Sequence, residues 1–162
     1  MNVFKKLISL NYRKEILPFQ ILKKPQKILV LLPVEVYELS PFIPAIKLLR
    51  ENFKTAKIIG VVKEEEVLFF KRTGLFNQII TYLSTPRFMS RQFYRLREKL
   101  RNEAASMSID FNSTSDLLSW LGGAHLRIGR QTSPFINYKV KLSENEPDKA
   151  AIKLVKAICM GH

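Results

Sequence analysis

Three arginines spaced four residues apart, Arg87, Arg91 and Arg95, are the densest chemistry-bearing pattern in this chain. Residues 87–104 read as one long basic helix, and on a helix that spacing puts all three on one face. Arg97, Lys99 and Arg101 add charge, while Phe88, Phe93, Tyr94, Leu96 and Leu100 supply apolar contacts. Guanidinium groups grip phosphate and carboxylate through paired hydrogen bonds. Such a face suits a phosphorylated glycolipid, a membrane or a nucleic acid, and it equally suits a solvated outer helix face. No RNP-like aromatic strand or zinc finger accompanies it, so nucleic acid is the least favoured partner.

Other chemistry is sparse. There is no Walker-type loop and no Gly-x-Gly-x-x-Gly after the first strand, so nucleotide binding through a Gly-rich turn has no support. His125, His162 and Cys159 are the only histidines and cysteine, and no metal-binding spacing emerges. No metal and no cofactor are expected. Cys159 falls in the apolar pattern of the last helix, where a packing role outweighs a catalytic thiol. One cysteine allows no intramolecular disulfide, which is consistent with a reducing compartment.

Alternating strands and helices must position these residues. Lys27-Ile-Leu-Val-Leu-Leu32 and Lys57-Ile-Ile-Gly-Val-Val62 are continuous apolar runs, the mark of strands buried on both faces of a parallel sheet. Gln78–Tyr82, Met107–Asp110 and Leu126–Ile128 read as further strands, with an edge strand within Phe135–Val140. Between them, Ser40 is expected to cap a helix whose first position is Pro41. A short helix runs from Glu64 to Arg72 and ends near Gly74. Another runs from Thr114 to Leu121, closed by Gly122 and Gly123. A last helix starts at Pro147 and turns Ala151, Leu154, Val155 and Ile158 inward. The expectation is a Rossmann-like, doubly wound parallel α/β sheet. Ligands in such sheets lie beyond the carboxyl ends of the strands, next to the loops after Leu32, Val62, Tyr82, Asp110 and Gly129.

The 162 residues suit one domain, with 46% hydrophobic and 25% charged residues, values of a folded globular protein. Lys and Arg number 27 against 14 acids, a net charge of +13. That surface attracts polyanions, or simply keeps the protein soluble. Residues 1–26 form a basic N-terminal arm. Lys5, Lys6, Arg13, Lys14, Lys23 and Lys24 oppose Glu15 alone, interleaved with Val3, Phe4, Leu7 and Ile8. A basic amphipathic segment suits an anionic membrane surface, although an arm packed on the domain fits as well. Charges and Pro18 exclude the apolar core of a signal peptide, and no apolar run reaches a transmembrane length.

Residues 27–162 carry a family likeness. Lys27–Leu32 followed by Ser40-Pro-Phe-Ile-Pro-Ala-Ile-Lys-Leu-Leu-Arg50 resembles the opening of family 9 glycosyltransferases, the ADP-heptose:lipopolysaccharide heptosyltransferases and their relatives. Phe53–Ile59, Ser108–Asn112 and Leu117–Gly129 are similar to later pieces of the family in the same order. The resemblance implies the N-terminal, acceptor-binding half of a GT-B enzyme, with the nucleotide-sugar-binding half not among these residues. It implies lipopolysaccharide biosynthesis in the cytoplasm, with peripheral contact to the inner membrane. In that family a Gly-Asp pair precedes the helix proline, and its Asp is taken as catalytic base. Counting back from Pro44, the pair is Tyr37-Glu38 here. Glu38 is therefore the candidate general base for an inverting transfer, or else a loop carboxylate near a helix start.

Asp110 and Asn112 are candidates for hydrogen bonds to an acceptor sugar, although capping of the next helix or turn is the favoured reading of Asp110. The family's basic residue after that strand is missing from Asn112-Ser-Thr-Ser115. The expectation is a domain that is not catalytic alone. It would bind an anionic sugar or glycolipid acceptor, or pair with a separate nucleotide-sugar-binding domain. The rival is a non-catalytic scaffold for a membrane surface or a protein.

Overall fold

The computed structural model describes residues 25–32, 40–84, 86–111, 117–129, 135–136, 138–140 and 147–159. Residues 1–24 of the expected arm therefore lie outside the described residues, as do residues 33–39, 112–116 and 130–134. Six strands, β1 (Lys27–Leu31), β2 (Lys57–Lys63), β3 (Gln78–Tyr82), β4 (Met107–Asp110), β5 (Leu126–Gly129) and β6 (Tyr138–Lys139), form one sheet. Its order is β3-β2-β1-β4-β5-β6, and every pairing is parallel. The chain winds outward in one direction from β1 to β3 and in the other from β4 to β6. The carboxyl ends of β1 and β4 thus flank the topological switch point where open α/β sheets hold ligands. The expected edge strand within Phe135–Val140 is present as the two residues of β6.

Burial on both faces explains the unbroken apolar runs. In β1 the side chains of Ile28 and Val30 join one core cluster, while Leu29 and Leu31 join the other. The first cluster is closed by α1 (Ile43–Asn52), α2 (Val67–Thr73) and α5 (Pro147–Cys159). Ala151, Leu154, Val155 and Ile158 of α5 all pack inward, as their spacing predicts. The second cluster is closed by α3 (Arg91–Asn102) and α4 (Leu117–Leu121). Among the described residues no helix is long and apolar enough to cross a membrane.

Two helix starts differ from the sequence expectation. Ser40–Phe42 is a 3-10 turn, and the α-helix begins only at Ile43 with Pro44 in its first turn. Ser40 is thus not the residue that caps α1; Phe42 occupies that place without a side-chain cap bond. The basic helix begins at Arg91, not at residue 87. Ser90 stops it there, because its hydroxyl accepts the Phe93 N–H at 3.1 Å, the usual N-cap bond. Arg87 sits in the preceding turn, where its carbonyl accepts the Ser90 N–H at 3.0 Å. It does not share the helical face of Arg91 and Arg95.

At the amino ends of the strands Glu103 gathers three elements. It accepts a hydrogen bond from Gln78 at 2.6 Å and pairs with Lys27 at 3.5 Å and Lys57 at 3.6 Å. Burial pushes its carboxyl up, but Gln78, Lys57 and Lys27 together hold it below the ordinary glutamate value. A lowered folded pKa means stability that is present above the ordinary range and lost as pH falls through it. Glu103→Gln is expected to lose up to ~1 kcal/mol at neutral pH, the scale of a partly exposed ion-pair network. Urea titrations at neutral and acid pH check this, and the loss should shrink toward zero at the acid end.

Candidate functional site

The carboxyl edge of the sheet is built from the last residues of successive strands. Lys63 ends β2, Tyr82 ends β3, Asp110 ends β4 and Gly129 ends β5. Strand alternation sends Ser108 and Asp110 to the face opposite Met107 and Ile109. On that face the neighbouring strand contributes Arg127, and α4 contributes Ser119. All four are buried, with Asp110 only 2% exposed. Ser108 and Ser119 share a hydroxyl–hydroxyl bond of 3.1 Å. The guanidinium of Arg127 donates to the carbonyls of Ala124, at 3.0 Å, and Phe135. The sheet thus carries a buried polar seam beside the switch point, where the rest of that face is apolar.

Tyr82 stands at the other side of the same edge. Burial, and after it the negative charges of Glu66 and Asp110, push its phenol above the usual tyrosine range. Tyr82 therefore stays a neutral hydroxyl at any physiological pH. Glu66, from the turn after β2, is itself raised, first by burial and then by Glu65, against the lowering influence of Lys63. One of its carboxylate oxygens is buried without a hydrogen-bond partner among the described residues.

Next to Tyr82, a cavity of about 270 Å³ opens between the end of β3 and α3. Thr81 and Ser84 line the strand side, and Gln92, Arg95 and Lys99 line the helix side. Arg95 and Lys99 lie four residues apart and so project side by side. Neither forms an ion pair with a described residue. Glu64 contributes an acid to the rim. Hydroxyl, amide and cationic donors facing one small space can take a hydrated anion such as a phosphate monoester.

The sequence-predicted residues separate as follows. Arg95 lines the cavity, and Arg91 lies one helical turn earlier on exposed surface. Arg87 is outside the helix. Asp110 is in the polar seam at the end of β4. Glu38 and Asn112 fall outside the described residues, and the helix start that Asp110 was expected to cap falls there with Asn112. From sequence Lys99 reads only as added charge on the basic helix, and Glu66 does not read as a site residue at all. The four-residue step from Arg95 was the available signal for Lys99, but no local pattern marks Glu66. Cys159 packs half-buried against the first core cluster, and burial pushes its thiol up, as a packing role requires. No group of three or more His, Cys, Asp or Glu able to hold a metal occurs among the described residues.

No protein-family model matches the chain, and no curated protein matches it in sequence. Among solved structures, the fold is similar to ADP-heptose lps heptosyltransferase II of E. coli, with a TM-score of 0.64 and 18% identity over 80% of this chain. It is equally similar to a glycosyl transferase of family 9 from Veillonella parvula, with a TM-score of 0.64 and 17% identity over 82%. The chain spans 40% and 41% of the length of those two proteins. The fold is therefore heptosyltransferase-like over about two fifths of such an enzyme.

Proposed function

We propose that this chain is the acceptor-binding type of domain of the heptosyltransferase lineage, holding an anionic sugar or glycolipid headgroup at the carboxyl ends of its strands. The heptosyltransferase-like fold is the premise. The observation that carries the reading is the cavity in which Arg95 and Lys99 face Thr81 and Ser84 beside the end of β3. Arginine and lysine would hold the anionic group, and the hydroxyls and Gln92 would take sugar oxygens. Asp110, at the end of β4 on the other side of the switch point, and Asn112, two residues further along the sequence, would meet the remaining sugar hydroxyls.

Transfer itself requires more than this chain. A departing nucleoside diphosphate needs cationic or helix-terminal stabilisation, which in this reading comes from a separate nucleotide-sugar-binding partner. Within such a pair Glu38 would take the proton of the attacking hydroxyl. The setting would be lipopolysaccharide assembly on the cytoplasmic side of the inner membrane.

Calorimetric titration with a hexose phosphate, and with the same hexose lacking phosphate, tests the reading. The phosphate ester should bind the tighter of the two. Arg95→Ala should weaken it about 10–100-fold, the worth of one charged hydrogen-bonding group. Equal affinity of the two sugars, or an Arg95→Ala variant that binds like the parent, would remove the anionic-sugar reading.

A further inference from the structure

The turn between β3 and α3 presents a second feature beside the cavity: Leu83 and Arg95 lie on the cavity's lining, whereas Arg87, Phe88, Met89, Arg91 and Tyr94 do not. Four large apolar side chains stand out of the surface here: Leu83 is 71% exposed, Met89 62%, Tyr94 48% and Phe88 45%. Phe88 and Tyr94 each meet the buried ring of Phe93, at centroid distances of 5.2 and 5.3 Å, so both exposed rings are anchored on one buried side chain. Exposed arginines 87, 91 and 95 alternate with it. No Asp or Glu occurs between Leu83 and Arg97.

The backbone holds this arrangement at a cost. Met89 has φ of 63°, a left-handed conformation that disfavours any residue with a Cβ. Such strain persists where surrounding structure enforces it and is found where function uses it. Here it puts an exposed methionine at the tip of the turn between β3 and α3.

We infer that residues 87–94 form a docking surface for an anionic phospholipid bilayer, with Phe88 and Met89 entering the interface and Arg87 and Arg91 meeting lipid phosphates. Apolar side chains seated at the acyl boundary below a ring of cations are the composition of interfacial membrane binding, and each cation adds attraction to anionic lipid. The uniform sign of charge favours this occupant. The chain's own arm is excluded on the same ground, since residues 1–26 carry six basic residues against one acid and would be repelled. A protein partner would need a strongly acidic apolar patch. The inference rests on the membrane-side placement proposed above but not on its sugar chemistry.

The test is cosedimentation of the full chain with vesicles of phosphatidylcholine alone, or with about a third phosphatidylglycerol. The parent should bind the anionic vesicles and not the neutral ones. Phe88→Ser/Met89→Ser should lose affinity at least about tenfold, as lost apolar burial requires. Arg87→Glu/Arg91→Glu should lose a similar factor and flatten the salt dependence. Both pairs are exposed and do not line the cavity, so their hexose-phosphate affinity should stay that of the parent. Failure of sugar binding with these vesicle results intact would sink only the sugar reading. The inference is overturned if the parent ignores anionic vesicles, as a surface built for a protein would. It is also overturned if both loop variants bind like the parent while Lys5→Glu/Lys6→Glu abolishes binding, which would place the membrane contact in the arm.

Discussion

Replacing Arg127 by methionine is expected to destabilise the protein by about 3–6 kcal/mol, since each of two hydrogen bonds from a charged group contributes about 1.5–3 kcal/mol. The guanidinium is only 4% exposed in β5, and its two carbonyl partners come from either side of it in sequence. Ala124 precedes β5, and Phe135 lies in sequence between β5 and β6. Methionine fills much of the volume but leaves both carbonyls without that donor. For a chain of this size the loss corresponds to a fall in Tm of roughly 10 °C. Lysine should recover only part of it, because a single ammonium does not reproduce the fork that reaches both carbonyls. Trp120 gives a local readout. Its ring lies 5.9 Å from that of Phe135, and it is the only tryptophan. Its emission should therefore change in Arg127→Met before global unfolding begins. A variant with the parent's Tm and emission would show that these bonds are matched by water at no cost.

This residue also marks a limit of reading from sequence. Arg127 lies in the run Leu-Arg-Ile-Gly, where alternation suggests a charged side chain pointing to solvent. It points instead into the sheet's second face, because two carbonyls turn inward to meet it. No one-dimensional pattern records which carbonyls those will be. The strands themselves were legible for a different reason. Ile28–Leu32 and Ile58–Val62 are apolar without interruption, and only burial on both faces rewards that. Their parallel direction follows from the βα alternation, since each crossover returns the chain in parallel, but their order in the sheet does not, because several doubly wound orders share that alternation.

The start of α3 differs from the sequence pattern for a physical reason as well. Arg87 and Phe88 continue the helix's mixture of basic and aromatic residues upstream of its true beginning. The boundary is set by the Ser90 cap and by the left-handed Met89, and composition does not reveal a backbone angle. The same boundary decides how the exposed patch reads. Read as helix, Phe88 and Met89 are two more positions on a wheel; as a turn, they are exposed apolar tips. The cavity was half legible. Arg95 was visible as one member of a charged series, but the strand end that completes the cavity is brought to it only by the fold.

Gly60 supplies the other large expected effect. It lies in the middle of β2, paired with Val30 on one side and Ile79 on the other. Its neighbours Ile58 and Val62 face the first core cluster, and alternation sends position 60 to that face too. The space a side chain would fill is taken by the ring of Phe76, which a Cβ at Gly60 would approach to 2.6 Å. Phe76 in turn packs against Phe70 of α2 at 5.4 Å, so the glycine sets how closely α2 and the start of β3 settle on the sheet. Gly60→Ala is expected to cost about 2 kcal/mol and Gly60→Val about 3 kcal/mol or more, the range of overpacked cores. Phe76→Ala should also destabilise, through the cavity it leaves. The double variant Gly60→Ala/Phe76→Ala should be markedly more stable than the sum of the two losses predicts, because each change supplies what the other lacks. Denaturant midpoints of the four proteins measure that coupling, and strictly additive losses would mean that Phe76 does not stand over Gly60. Because β3 carries Thr81 and Tyr82 to the cavity, the displacement should reach the site. Hexose-phosphate affinity should fall in Gly60→Ala even at temperatures where the variant remains folded, and recover in the compensated pair.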